Sequence, residues 1–290
     1  MNNNRRPLIF GTGKEFGEKQ ADAFPMLLQA GFDGAFTYGY EERIGEFAKC
    51  LKDLGMIYQS VHGEYFGLSA LWNPDSDACD RLMEKLLFTV EQCARYEVPI
   101  MVVHAVTDLD LCPEHPNQLG IERFDRIVRR AKETGVKVAF ENTDSTEYVE
   151  VLLNAFPDEK SVGFCWDSGH ENAYTYPDDV LERCGSRLIA THLHDNLGKI
   201  LTADGNVDWR GDLHRLPFDG AINWEEKAKK LIETGFRGPL TFELLRTPVR
   251  DQPRTPYQDM PMGSYLALAY EHADRLRALV EKCEADRLPQ

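Results

Sequence analysis

Side chains able to bind metal or move protons end six consecutive apolar runs of this sequence. Each is an imidazole or a carboxylate, and each stands where a short β-rich run gives way to polar residues. They are His62, His104, Glu141, Asp167, His192 and Glu243. A single such residue is ordinarily a solvated strand terminus or a packed histidine, but six in succession indicate one site assembled from distant parts of the chain.

Three of these residues are carboxylates, which determines the chemistry that the site can support. Glu141, Asp167 and Glu243 would repel one another in a partly desolvated site, and one of them would have to take up a proton. A divalent cation removes that conflict. Three carboxylates with one imidazole suit Mn²⁺, Co²⁺, Zn²⁺ or Fe²⁺, whereas all-oxygen sites suit Mg²⁺ or Ca²⁺. We therefore expect a divalent metal, whose identity the sequence does not choose.

Further candidates stand just beyond the apolar runs. His170 follows Asp167 by three residues in "WDSGH", and Asp212 and His214 form a D-x-H pair. In a solvated loop the same pair would have no function. The sequence supports a functional pair and a solvated pair about equally. In "THLHDN", His192 and His194 would share one face of a strand because side chains alternate with period two.

Alternating β-rich and helical patterns must position these residues. We predict strands over 8–13, 32–39, 56–64, 99–105, 137–143, 161–170, 187–196 and 239–245. We predict helices over 18–30, 41–54, 77–97, 118–134, 146–156, 178–184, 223–234 and 263–283. Eight repeats of strand and helix predict an α/β fold, a (β/α)₈ TIM barrel in a single domain over residues 1–290.

In such a barrel the carboxyl ends of all strands meet at one mouth, where barrel enzymes keep their active sites. Two long connections, 196–222 and 246–262, follow the last two predicted strands, and connections of this length are usually functional. There is no GxGxxG or GxxxxGK[ST] pattern to support a nucleotide-binding sheet.

Bulk properties narrow the class of protein. No apolar run reaches membrane-spanning length and no signal-peptide core follows the start, so we expect a cytoplasmic protein without membrane contact. The seven cysteines form no CxxC pair, which favours reduced thiols. A formal net charge of −15 disfavours nucleic acid as a partner. A homo-oligomer is compatible with the sequence.

Five segments together resemble the xylose isomerase-like TIM barrels, a family of sugar isomerases, ketose 3-epimerases, inosose-processing enzymes and endonuclease IV. These segments are "VAFENTD", "GFCWDSGH", "THLHDN", "DLHRLPFDGAINW" and "LTFELL". Their order and spacing carry the resemblance over essentially the whole chain. They identify the family better than they identify the member.

The resemblance to the ketose epimerases implies one metal held by Glu141, Asp167, His192 and Glu243. It also implies a sugar substrate whose proton next to a carbonyl is moved through an enediolate, with Glu141 and Glu243 as base and acid. The implied substrate contacts are His62, His104, His170 and His194. For His194 we expect either contact with a metal ligand or contact with substrate.

The resemblance to endonuclease IV implies a different activity, a phosphodiesterase with three zinc ions acting on abasic DNA. Five additional ligands would then be His62, His104, His170, Asp212 and His214. Other sugar-processing members also carry the D-x-H loop, and the net charge disfavours DNA. We therefore rank a metal-dependent sugar isomerase or epimerase first, the endonuclease second, and a keto-sugar lyase or dehydratase as a further alternative.

Substrate specificity is expected in the loops, among them "HGEYFGLSALWNPDSD" after the third predicted strand. Its aromatic residues Tyr65, Phe66 and Trp72 would either stack on a sugar face or pack the loop, and the sequence supports both interpretations equally.

Overall fold

The computed structural model describes residues 5–13, 16, 20–38, 43–249 and 251–287. Parts of the predicted strand 32–39 and of the predicted helices 18–30 and 41–54 lie outside the described residues.

Eight parallel strands form the centre of the molecule. They are Leu8–Thr12 (β1), Gly34–Tyr38 (β2), Ile57–His62 (β3), Ile100–His104 (β4), Lys137–Glu141 (β5), Val162–Asp167 (β6), Leu188–His192 (β7) and Leu240–Phe242 (β8). Each strand pairs with its neighbour in sequence, β1 also pairs with β8, and a parallel bridge between Leu193 and Phe242 brings β7 next to β8. The predicted (β/α)₈ barrel is confirmed.

Helices alternate with the strands around the outside. They are Ala23–Ala30 (α1), Ile44–Asp53 (α2), Asp77–Arg95 (α3), Gln118–Thr134 (α4), Thr146–Ala155 (α5), Val180–Cys184 (α6), Trp224–Glu233 (α7) and Met262–Arg287 (α8). The Ser76 side chain caps α3 by accepting a hydrogen bond from the backbone N–H of Cys79 at 3.2 Å. Gly135 ends α4 in the left-handed conformation that glycine adopts without strain. In the part of the chain that the structure describes, no helix is long and apolar enough to cross a membrane.

Period-two alternation separates the two faces of the barrel strands. The inward-facing residues two positions before the predicted ligands are small and form their own buried cluster, Val102, Ala139, Cys165 and Ala190. Larger side chains such as Phe140 and Phe164 point outward into the main core between strands and helices. The interior therefore changes within two residues from small apolar side chains to the polar side chains at the mouth.

Three predicted strands extend three or more residues too far, and one of them, 239–245, ends at Phe242. The predicted strand 161–170 ends at Asp167, because Asp167 Oδ1 accepts a hydrogen bond from the backbone N–H of His170 at 2.6 Å and begins a helical turn over Ser168–His170. The predicted strand 187–196 ends at His192. His170 and His194 therefore lie beyond the strands, in the connections that form the mouth.

Candidate metal centre

Four predicted ligands meet at the ends of β5 to β8. The ligand atoms of Glu141, Asp167, His192 and Glu243 all lie within 4.8 Å of one another, and we call these four residues the inner cluster. His192 Nδ1 is 3.1 Å from Glu141 Oε1 and 3.2 Å from Glu243 Oε2. The side chains of the other three residues are fully buried, and Glu243 is 8% exposed. Two glutamates thus approach one point from different strands.

The inner cluster fits a cation. Asp167 Oδ2 is buried and has no hydrogen-bond partner among the described residues. A buried carboxylate oxygen without a partner is costly unless a cation or proton compensates it. The other Asp167 oxygen is held by the N–H of His170, so that Oδ2 is the one free for a metal.

A second group faces the other oxygen of Glu141. His62 Nε2 lies 3.2 Å from Glu141 Oε2, and His104 Nε2 lies 3.7 Å from the same oxygen. The two Nε2 atoms are 3.2 Å apart. His62 Nδ1 lies 2.9 Å from the carbonyl oxygen of Gly63, a contact that places the proton on Nδ1 and the lone pair on Nε2. Burial lowers the pKa of His104 to about 3, which keeps its imidazole in the neutral form that binds metal. The two oxygens of Glu141 therefore face two different groups of potential metal ligands.

A third group lies nearer the long loop after β7. Ligand atoms of His170, His194, Asp212 and His214 are all within 4.8 Å of one another, and we call these four residues the outer cluster. Asp212 Oδ2 is 3.3 Å from His170 Nε2 and 3.1 Å from His214 Nε2. The Nδ1 atoms of His170 and His214 each lie 3.0 Å from a backbone carbonyl oxygen, which directs both Nε2 atoms toward Asp212.

His194 is fully buried between the two clusters. Its Nε2 lies 3.0 Å from Asp167 Oδ1, and its ring stacks on that of His214 with centroids 3.9 Å apart. Gly169 leaves room for this ring, since a Cβ there would come within 1.9 Å of His194 Cε1. His194 thus contacts Asp167, which is itself a predicted metal ligand, and both expectations for His194 stay predictions.

Buried charges in both clusters balance one another. For Glu141, burial alone raises the pKa, but the neighbouring His192 imidazole outweighs it and holds the Glu141 pKa well below its usual value. For His214, burial alone lowers the pKa, but the neighbouring Asp212 carboxylate raises it to about 9. Protons on the histidines thus compensate the carboxylates here, and a divalent cation would serve the same purpose.

Asp195 anchors the loop that carries Asp212 and His214. Its carboxylate accepts hydrogen bonds from the backbone N–H groups of Asn196, Phe218 and Ile222 at 2.9 to 3.1 Å, and from Trp224 Nε1 at 2.8 Å. The backbones of Asp195 and Arg215 also pair in both directions at 2.8 Å. The sequence places Asp195 beside the predicted ligands, but only the folded loop reveals this anchoring role.

Asn142 connects β5 to β6 immediately after Glu141. Its side chain donates to the backbone oxygen of Asp167 and accepts from the Asp167 N–H, both at 2.8 Å. Sequence reasoning did not select Asn142; its position next to a predicted ligand is the only signal. It fixes the relative position of two inner-cluster strands.

The aromatic residues of the loop after β3 have different roles. Trp72 is buried and donates from Nε1 to the carbonyl oxygen of Ala105 at 2.9 Å, so it packs the loop. Tyr65 stands edge-on to His62 with centroids 5.8 Å apart, and Phe66 is 67% exposed. Tyr65 and Phe66 are thus the two that lie at the mouth.

A family model described as the xylose isomerase-like TIM barrel matches residues 19–261 of this chain. The uncharacterized protein y4fM of Sinorhizobium fredii is 33% identical over 172 residues, which are 56% of this chain and 52% of that protein. The rhizopine catabolism protein MocC of Rhizobium meliloti is 26% identical over 165 residues, which are 52% of this chain and 47% of that protein. The chain thus spans about half the length of the curated relatives it matches.

Solved structures share the fold at low sequence identity. D-psicose 3-epimerase from Clostridium cellulolyticum H10, solved with D-tagatose, is 13% identical with a TM-score of 0.71, and the match covers 95% of this chain and 99% of that one. The 3-keto-D-glucoside 4-epimerase YcjR from E. coli is 15% identical with a TM-score of 0.69, covering 94% of this chain and 100% of that one.

Proposed function

Because this chain belongs to the xylose isomerase-like TIM barrel family, we propose that it is a divalent-metal-dependent isomerase or epimerase of a sugar or sugar derivative. One observation carries the proposal: Glu141 and Glu243 reach the same His192 nitrogen from different strands, at 3.1 and 3.2 Å. Such an arrangement offers a carboxylate on each of two sides of one cation and its substrate.

The chemistry follows from the two glutamates. A divalent cation held by the inner cluster would polarise the carbonyl and hydroxyl oxygens of a sugar. One glutamate then takes the proton from the carbon next to the carbonyl, and the other returns a proton to the enediolate from its own side. Both pKa values lie below the usual value despite burial, because His192 faces both carboxylates, so either glutamate can act as the base. The glutamate that acts as the acid first takes up a proton from solvent, which is also how deuterium from D₂O would reach the sugar.

The comparisons support this substrate class. Two solved structures of the same fold are a D-psicose 3-epimerase and a 3-keto-D-glucoside 4-epimerase, both of which act on sugars by name. The curated relative MocC is named for the catabolism of rhizopine. Small polyhydroxylated substrates also suit a mouth whose floor is lined by imidazoles and carboxylates.

Deuterium exchange into ketoses tests the proposal. The metal-loaded protein is incubated in D₂O with a panel of ketoses and keto-sugars, and incorporation next to the carbonyl is followed by NMR. Glu141→Gln and Glu243→Gln should each lower the exchange rate about 10²- to 10⁴-fold while the fold is retained. Glu171→Gln is the matched control, because Glu171 is equally buried but bonds Trp166 and Lys227 instead. Full exchange in both cluster variants would refute the two-glutamate mechanism.

A second function, a phosphodiesterase with three metals that resembles endonuclease IV, is favoured by one observation. The two oxygens of Glu141 face two positions, and the outer cluster offers a third. Elemental analysis and abasic DNA distinguish the two functions: one metal with exchange supports the isomerase, whereas three metals with robust duplex cleavage support the phosphodiesterase. A keto-sugar lyase or dehydratase would also exchange the proton but release a product of lower mass.

A further inference from the structure

Tyr38, at the carboxyl end of β2, contacts the inner cluster without being one of its ligands. Its hydroxyl donates a hydrogen bond to Glu243 Oε1 at 2.6 Å. The other oxygen of the same carboxylate, Oε2, faces His192 Nδ1 at 3.2 Å. The two oxygens of Glu243 therefore have different partners, one a phenol and the other a predicted metal ligand.

Packing fixes the position of the Tyr38 hydroxyl. The ring stacks on His62 with centroids 5.6 Å apart, and it stands edge-on to Phe36 at 5.8 Å and to Tyr65 at 5.7 Å. Gly13 closes the remaining side, since a Cβ there would lie 3.2 Å from Tyr38 Cε2. The ring is thus contacted from several directions, and its hydroxyl approaches Glu243 along a defined direction.

This contact decides how Glu243 can bind an ion. A carboxylate with both oxygens free can bind a cation through one or both of them. A hydrogen bond to Oε1 favours binding through Oε2 alone and holds Oε1 at a fixed place, as proton transfer requires. Oε1 retains a second lone pair for the proton of the substrate carbon, so that Tyr38 keeps its own proton throughout.

We propose that Tyr38 is a positioning residue for Glu243, which reserves Oε2 for the metal and Oε1 for proton transfer. The role of Oε1 in proton transfer rests on the proposed function, whereas the role of Oε2 concerns metal binding alone. It also explains why a tyrosine stands at the mouth on β2, a strand that contributes no predicted ligand.

Tyr38→Phe removes one oxygen atom and keeps the ring. We would load this variant and the wild type with Co²⁺ in the absence of sugar. The Co²⁺ affinity and the visible absorption spectrum are then measured for each protein. The spectrum should change, because Glu243 can then bind through both oxygens, and the Co²⁺ affinity should stay within about threefold of the wild type. Deuterium exchange into a ketose should fall about 10- to 100-fold in kcat, with little change in KM.

Tyr58→Phe is the matched control. The Tyr58 hydroxyl bonds Thr37, the residue before Tyr38, so this variant also removes one phenol hydrogen bond from β2. It should leave the Co²⁺ spectrum, the Co²⁺ affinity and the exchange rate unchanged, with a thermal midpoint close to that of Tyr38→Phe.

The inference is overturned if the Co²⁺ spectrum of Tyr38→Phe matches that of the wild type, or if Tyr58→Phe changes it equally. A Tyr38→Phe variant that loses Co²⁺ affinity and thermal stability together would also overturn it, because the tyrosine would then only support the fold. If the wild type exchanges no proton into any sugar, the proposed function fails, and the Co²⁺ spectrum alone still decides whether Tyr38 positions Glu243.

Discussion

The inner and outer clusters both combine carboxylates with imidazoles, in different proportions, and they are supported in different ways. The inner-cluster residues lie at the ends of β5 to β7 and directly after β8, where ladder hydrogen bonds set their positions. The outer cluster joins His170 and His194, just past two strands, to Asp212 and His214 on the long loop. Closing the barrel is therefore enough to assemble the inner cluster, whereas the outer cluster also requires the loop to be anchored.

The two clusters also differ in the chemistry that they can support. The inner cluster presents two glutamates to one position, as acid-base chemistry on a carbon requires. The outer cluster has a single carboxylate, Asp212, among three imidazoles. A bound metal there would hold the loop on the barrel or bind an anion, but proton transfer from two sides is available only at the inner cluster.

Removal of metal should have the largest effect on proton exchange, because the proposed reaction depends on the cation that the inner cluster would hold. Saturating Mn²⁺, Co²⁺ or Zn²⁺ at about 100 times its dissociation constant should raise the free energy of unfolding by about 2.7 kcal/mol per site. Thermal unfolding with and without chelator measures this shift, and chelation should also abolish exchange. An unfolding midpoint that none of these cations raises would contradict a metal centre in either cluster.

Loosening the loop should affect the outer cluster alone. Asp195→Ala removes the acceptor of four hydrogen bonds and should lower the free energy of unfolding by about 3 kcal/mol. The inner cluster should keep its metal, because closing the barrel is enough to assemble it, and elemental analysis of the purified variant beside the wild type measures this.

Asp204→Ala provides the control for that experiment. Asp204 bonds Thr202 and Asn206 at the exposed tip of the same loop, so its loss should change stability by less than about 0.5 kcal/mol. Equal destabilisation by both variants would show that Asp195 does not anchor the loop.

Replacing an outer-cluster ligand should have the smallest effect on proton exchange. His214→Ala keeps all four inner-cluster side chains and removes only a contact to the backbone oxygen of Glu243, so exchange into a ketose should fall less than about tenfold. A fall beyond about 10²-fold, measured at saturating metal, would instead place the outer cluster in the reaction.

The same contrast explains what the sequence could predict. Apolar runs followed by polar residues predicted the eight strands and the inner-cluster positions, because strand ends are local features. The strands β6, β7 and β8 end earlier than predicted, and at β6 the reason is the Asp167 cap, which starts the turn at Ser168 through a side-chain hydrogen bond. Tyr38 was missed because a tyrosine at the end of an apolar run is typical of packing, and its partner Glu243 is 205 residues away.

The most direct test of the central claim is deuterium exchange by the metal-loaded wild-type protein into ketoses and keto-sugars, followed by NMR beside an incision assay on an abasic duplex. Our account predicts deuterium at a single carbon next to the carbonyl, abolished by chelator, and negligible incision of the DNA. No exchange into any member of the panel together with robust incision would contradict it.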